Sequence, residues 1–139
     1  NLVAENMKKN KWGRIINLTS LLAKEPANNM ILSNVTRSAV AAFSKSISNE
    51  IAKFGITVNT ILTGGCLTER FYALANKQIE ETGETLDNAV SRMSMNSPVQ
   101  YIATPEEFAQ TILYLSSEES SYLTGASIPL DGGTSKGTF

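Results

Sequence analysis

Gly13-Arg14-Ile15-Ile16-Asn17-Leu18-Thr19-Ser20, followed by the polar, proline-bearing stretch to Arg37, decides how this chain folds. The first residues read as a strand that ends on small hydroxyl side chains. From Ser38 to Phe54 the pattern predicts a long amphipathic helix. A strand, a loop with Pro26, Asn28 and Asn29, and then a helix make half of a βαβ unit. In open α/β sheets ligands sit where strand ends meet helix starts. Ser20, Ser33 and Arg37 occupy that boundary and are the first candidates for function.

Working outward, Arg14 to Leu18 shows no apolar–polar alternation, the pattern of a central strand covered on both faces. The helix after Ser33 carries Val35, Ala39, Phe43, Ile47 and Ile51 at steps of four, with Val40 and Phe54 widening the stripe. That predicts one face committed to a core. Ala41 and Ala42 leave a small-residue face, which suits a second helix or is plain filler. Gly55 ends the helix. A second strand, Ile56 to Leu62, runs into Thr63-Gly64-Gly65-Cys66, where two glycines allow a sharp turn and close approach to a ligand, or only the turn. Cys66 reads as small filler, since no histidine or nearby lysine lowers its pKa.

From Leu67 to Ala103 the apolar positions thin out. Two short helices are expected, Glu69 to Glu81 and Thr85 to Met95, in an insertion that is either a lid or a rigid embellishment. Thr104-Pro105-Glu106-Glu107 carries the elements of a capping box with proline in the first turn. Phe108, Ala109, Ile112, Leu113 and Leu115 are the expected buried face behind it. A last strand, Ala126 to Leu130, closes on Asp131-Gly132-Gly133. Upstream, Asn1 to Asn10 reads as a helix whose Lys8-Lys9-Asn10-Lys11 end suits the dipole. The chain opens inside that helix and on asparagine, so it is expected to be a piece of something longer. No internal repeat or linker interrupts it, and residues 1–139 read as one unit.

Composition narrows the chemistry. With no histidine among 139 residues, imidazole bases, Ser-His-Asp triads and the commonest zinc ligand drop out. One cysteine permits neither an internal disulfide nor a multi-cysteine metal site, and points to a reducing, cytoplasmic compartment. A net charge of −1 gives no overall basic field for nucleic acid or an anionic membrane. No apolar run approaches the roughly 18 residues of a membrane span.

Taken together, Gly13 to Ser20, Gly55-Ile56-Thr57-Val58-Asn59, Thr104 to Glu107, and Tyr122-Leu123-Thr124-Gly125 through Asp131-Gly132-Gly133 resemble the carboxyl-terminal half of the short-chain dehydrogenase/reductase family. The pattern is most similar to the 3-oxoacyl-carrier-protein reductase-like members, and the resemblance covers the whole chain. It implies an α/β fold: half of a Rossmann-like doubly wound parallel sheet with helices on both faces. It also implies NAD or NADP as cofactor, a small carbonyl or alcohol substrate, and a homodimer or homotetramer built through the long helices, with Ala41 and Ala42 near the contact.

The family's active site holds a serine at the end of this strand, then a tyrosine, then a lysine four residues later. Ser20 matches the serine. With the helix registered through Phe43-Ser44-Lys45-Ser46, Ser33 falls at the tyrosine position and Arg37 at the lysine position. A phenol starts near pKa ~10 and a neighbouring cation brings it toward working pH; an aliphatic hydroxyl starts far higher. Arg37 keeps the charge and offers five donors for ribose hydroxyls and a carbonyl oxygen. On this resemblance Ser20, Ser33 and Arg37 are the catalytic candidates, with water, Ser33, Tyr72 or Tyr101 as proton donor. Arg37, Gly64, Cys66 and Thr68 are the cofactor-binding candidates. Thr63 stands where members usually have proline, and Thr68 matches a threonine that usually meets the pyrophosphate. Residues 67–103 match the substrate-binding segment. Beside these stand plainer roles: Ser33 as a helix cap, Arg37 in a surface or interface pair, and both tyrosines as packing groups. No glycine-rich pyrophosphate turn is present, so the 139 residues alone are not expected to bind a dinucleotide properly.

Overall fold

In the computed structural model, which describes residues 2–138, three parallel strands form one sheet in the order β1-β2-β3. Helix α1 (Leu2–Asn10) leads through Lys11 and Trp12 into β1 (Gly13–Leu18). Helix α2 (Ile31–Ile51) returns the chain to β2 (Ile56–Thr63). Helices α3 (Glu69–Thr82), α4 (Leu86–Ser94) and α5 (Pro105–Ser116) precede β3 (Ser127–Leu130). β1 pairs with β2 from Gly13 with Ile56 to Leu18 with Ile61, and β2 with β3 from Thr60 with Ser127 to Thr63 with Leu130. Asn1 and Phe139 lie outside the described residues.

β2 is the strand covered on both faces: Ile56 through Leu62 are all buried. β1 corrects the expectation drawn from its unbroken apolar run. It is an edge strand of this sheet, mostly half-buried, and Leu18 at its end is 53% exposed. On one face Ile15, Val58 and Ile56 pack with Ile47 and Ile51 of α2. On the other, Arg14 donates to the Ser117 carbonyl just past α5 (2.9 Å) and to Ser121 Oγ (2.9 Å). Helices therefore cover both faces of a parallel sheet, the α/β arrangement expected.

The core face of α2 is not the one its steps of four suggested. Ser44, Ser48 and Ile51 are buried, whereas Val35 and Phe43 are 63% and 61% exposed. A step of four residues overshoots a helical turn by about 40°, so the line Val35–Ala39–Phe43–Ile47–Ile51 spirals across the helix and only its last members reach the sheet. Small polar residues take the core instead. Ser48 is contacted by the turn before β3: a side chain at Gly125 (φ 69°) would sit 2.5 Å from its Oγ. The same turn is bound into β2, with the Val58 N–H donating to Thr124 Oγ1 (3.0 Å) and the Gly125 N–H to the Val58 carbonyl (2.7 Å).

Asn59 explains why an amide stands in a strand interior. Fully buried, it donates from Nδ2 to the Leu123 carbonyl (2.8 Å) and accepts from the Ala126 N–H (3.2 Å). The capping box of α5 is formed as read: Thr104 Oγ1 accepts from the Glu107 N–H (3.3 Å) and Glu107 Oε2 from the Thr104 N–H (2.8 Å). Behind it Phe108 and Leu115 are buried and Ile112 half-buried. Ala109 and Leu113, expected inside, face outward on the other side of the helix, Leu113 at 65% exposure. Among the described residues no helix is long and apolar enough to cross a membrane.

Candidate active site at the carboxyl edge of the sheet

The chain leaves β1 at its carboxyl end and re-enters the sheet at the amino end of β2, so α2 runs down from the carboxyl edge. Its height is set by Asn17 Nδ2, which donates to Ser44 Oγ at 2.8 Å. From Ser44 back to Arg37 is two helical turns, about 10 Å of rise. From Asn17 forward to Ser20 is three extended residues, also about 10 Å. Arg37 and Ser20 thus each lie about 10 Å of chain beyond the Asn17–Ser44 contact, toward the carboxyl edge, with Ser33 one further turn along the same helix. Seven and eleven residues are close to whole numbers of turns, so Arg37 and Ser33 share the face that carries buried Ser44 and Ser48.

Ser20 caps a 3-10 turn, its Oγ accepting from the Leu22 N–H at 3.3 Å. That contact uses a lone pair and leaves the hydroxyl proton free to donate. Ser33 is half-buried inside the first turn of α2; the N-cap position is Met30, so the capping role considered for Ser33 is not the one it plays. Arg37 is exposed and takes part in no ion pair among the described residues. No hydrogen bond joins the three side chains among the described residues. Two contacts hold the helix start against the loop: Ser38 Oγ donates to the Ala23 carbonyl (3.2 Å), and Asn34 bonds both backbone groups of Ala27.

That loop is also held from the carboxyl end of the chain. Glu25 Oε1 accepts from Ser135 Oγ (2.9 Å) and from the N–H groups of Lys136 (2.6 Å) and Gly137 (3.1 Å). Lys24 Nζ donates to the Gly137 carbonyl at 3.3 Å. The Gly137 N–H, then the Ser135 hydroxyl and the Lys136 N–H, hold the Glu25 carboxyl below its ordinary range.

Gly64, Cys66 and Thr68 come together in an open cleft of about 500 Å³ at the ends of β1 and β2, with Leu18, Arg70, Phe71 and Phe108 among its walls. Ser20 follows two residues after Leu18. At Gly64 the close approach is to the chain itself, since a Cβ there would meet Asp131 Cα at 2.6 Å. Burial first, then the carboxylates of Glu106 and Glu107, push the Cys66 thiol up, away from nucleophilic use. Thr68 caps α3, its Oγ1 accepting from the Phe71 N–H (3.4 Å). Arg70, in the first turn of α3, was not picked out from the sequence; its place two residues past a helix cap at a glycine turn was the available signal.

Residues 67–103 form the two helices expected, closed at the base where the Leu67 N–H donates to the Ala103 carbonyl (2.9 Å). Arg92 binds α4 back to Glu84 and to Gln78 Oε1 (2.9 Å). Of the two tyrosines, Tyr72 is exposed and sets its ring edge-on to Phe71. Tyr101 donates its hydroxyl to Glu107 Oε1 at 2.8 Å, and that bond together with the carboxylate charge raises its pKa. Its proton is committed to Glu107 in this structure.

A family model described as enoyl-(acyl carrier protein) reductase matches residues 1–135. The NADPH-dependent reductase BacG of Bacillus subtilis is 35% identical over 130 residues, which are 94% of this chain and 50% of that protein. The 3-oxoacyl-[acyl-carrier-protein] reductase MabA of Mycobacterium tuberculosis is 28% identical over 135 residues, 96% of this chain and 50% of that protein. The crystal structure of L-sorbose reductase from Gluconobacter frateurii, complexed with NADPH and L-sorbose, superposes with a TM-score of 0.89 at 29% identity, over 96% of this chain and 51% of that one. The chain spans about half the length of the relatives it matches. With the family model matched over nearly its whole length, it belongs to the short-chain dehydrogenase/reductase family.

Proposed function

We propose that this chain is the carboxyl-terminal part of a dinucleotide-binding oxidoreductase domain, one that transfers hydride between NAD or NADP and a carbonyl or alcohol substrate of 3-oxoacyl reductase-like type. What supports the reading is the place of Ser20 just past the end of β1 and of Ser33 and Arg37 near the start of α2, together with the Gly64–Thr68 turn after β2, which lines a cleft of its own. The residues fit the nicotinamide end of a dinucleotide. A two-glycine turn brings backbone to the cleft, Thr68 adds a hydroxyl, and the exposed N–H groups at the start of α3, with Arg70 beside them, favour a phosphate oxygen. The bound nicotinamide supplies or accepts the hydride.

The rest falls to the chain. Ser20 donates to the substrate oxygen, and Arg37 holds the ribose hydroxyls and stabilises charge on that oxygen. Gly64, Cys66 and Thr68 line the cofactor. With Tyr101 committed to Glu107, water or Ser33 is the proton donor this arrangement favours. Residues 67–103 act as the substrate lid. The exposed apolar stripe of α2 (Ile31, Leu32, Val35 and Phe43) supports a homodimer or homotetramer, with exposed Ala42, rather than half-buried Ala41, at the contact. A cytoplasmic location fits the single unpaired cysteine.

A second reading rests on Ser33, an aliphatic hydroxyl where the family has a phenol: a member that binds cofactor without turnover and acts as a sensor or oligomeric scaffold. The complete protein, assayed with NADH and NADPH over a panel of ketones and alcohols, separates the two. Hydride transfer with either cofactor is the expected result. Cofactor bound by calorimetry with no transfer in either direction supports the sensor, and no dinucleotide affinity at all removes both readings.

A further inference from the structure

The turn that Ser20 caps is not held by core packing. Leu21–Ala23 is a single 3-10 turn with none of its residues buried, and a turn this short does not fix its own place in water. Its order comes from hydrogen bonds. The Ala23 N–H donates to the Ser20 carbonyl (3.0 Å), and the N–H groups of Lys24 and Glu25 both donate to the Leu21 carbonyl (2.9 Å each). Glu25 is therefore bonded directly into the turn whose Leu22 amide meets the Ser20 hydroxyl.

Three groups outside the turn anchor it. Two belong to α2: Ser38 Oγ on the Ala23 carbonyl, and the Asn34 side chain on Ala27. The third is the segment after β3, through the three donors gathered on Glu25 Oε1. That segment is itself braced. Asp131 Oδ1 accepts from the Gly133 N–H (2.9 Å) and Oδ2 from the Ser135 N–H (2.8 Å). Asp131 follows directly on Leu130, whose carbonyl accepts from the Gly64 N–H at 2.9 Å. Glu25 thus links a turn with no core of its own to a segment rooted at the end of the sheet.

A hydroxyl that donates to a substrate oxygen must stand in one rotamer. Ser20 Oγ accepts from the Leu22 N–H at 3.3 Å, which leaves its proton to donate elsewhere. If the turn drifts, that contact is lost and the side chain is free among its staggered wells. We infer that Glu25 is a positioning residue for Ser20: by fastening the Leu21–Ala23 turn to residues 135–137, it holds the Ser20 hydroxyl in the orientation from which it donates. The inference rests on the reading of Ser20 as donor to the reacting oxygen, and Glu25 acts only through the turn.

The test is a double-mutant cycle in the complete protein. A misplacement of about 1 Å costs on the order of 10²-fold in rate, so Glu25→Ala is expected to lower kcat for ketone reduction by about ten- to a hundredfold, with KM and cofactor affinity nearly unchanged. Glu25→Gln keeps an acceptor oxygen and should recover much of the loss. Ser135→Ala removes one donor of the three and should show a smaller fall of the same kind, so one variant failing to fold leaves the others informative. The deciding arm is the Ser20→Ala background, where Glu25→Ala should lower kcat no further, because groups that act as a unit are not additive. Equal falls in both backgrounds, or lost unfolding stability with kcat intact when Ser20 is present, overturn the inference and leave the reductase reading standing. Should no hydride transfer be found, that reading fails and amide exchange decides the positioning by itself. Faster exchange at Leu22 and Ala23 in Glu25→Ala, with the amides of α5 unchanged, supports it; unchanged exchange at Leu22 and Ala23 refutes it.

Discussion

Replacing Ser33 by Tyr together with Arg37 by Lys is the most direct test of the catalytic assignment. The two positions are one turn apart on the face of α2 that is held against β1 by the Asn17–Ser44 hydrogen bond. A phenol at position 33 introduces an acid with a free value near pKa ~10, which the adjacent ammonium lowers. A well-placed general acid contributes roughly 10²–10⁴-fold. Water or Ser33 already supplies part of that, so the double variant is expected to gain at least about tenfold in kcat for a simple ketone, or ~1.4 kcal/mol in the barrier. It should also acquire a basic limb in its pH–rate profile that the parent lacks. Arg37→Lys alone, which exchanges a planar fork for a point charge, is expected to weaken cofactor binding without that limb. The assay is steady-state ketone reduction by the complete protein, with folding checked by circular dichroism and cofactor affinity by calorimetry. A folded, cofactor-binding double variant with no gain and an unchanged profile refutes the placement of both positions.

Three further expectations concern the framework. Asn59→Ala strips two half-buried backbone groups, Leu123 C=O and Ala126 N–H, of their side-chain partner; at ~1–3 kcal/mol each the loss is about 2–6 kcal/mol in denaturant unfolding. Thr104→Ala removes half of the capping box and is expected to cost about 1 kcal/mol by the same measurement. The Glu25 clasp is acid-sensitive: its folded pKa is depressed, so the contribution is complete above the unfolded carboxylate value and is lost as pH falls through the folded one. Protection of the Lys136 and Gly137 amides, measured against the free-chain exchange rate at each pH, should fall across that acidic window, and should already be lost at neutral pH in Glu25→Ala.

Much of the architecture was legible because local chemistry and global fold agree in this chain. The Thr104 to Glu107 box, the helix stop at Gly55 and the buried β2 run each follow from one residue type doing the one thing it does well. The hydrophobic pattern misleads where helical geometry overrides it. In α2, steps of four place large apolar residues inward, although a line at that spacing drifts round the helix and Ser44 and Ser48 hold the core. In α5, Ala109 and Leu113 were assigned to a face they do not share with Phe108 and Leu115. β1 reads as a central strand and is an edge of the three-stranded sheet these residues form, in a chain that spans about half the length of its relatives. In the site, Ser20 and Gly64 are marked by their positions at strand ends and Thr68 by the family resemblance, and their roles are proposals. The capture of Tyr101 by Glu107 and the entry of Arg70 into the cleft depend on how α3 and α5 converge, and no local pattern encodes that.

The grip of Glu25 on the backbone of Lys136 and Gly137 bears on how the protein is handled in the laboratory. A purification handle or reporter inserted close after Gly137 would tug on the segment that follows Ser20, because the two are joined through one carboxylate oxygen. Trimming the chain before Ser135 would slacken the same segment from the opposite direction. Protein prepared for kinetics should therefore carry such additions elsewhere.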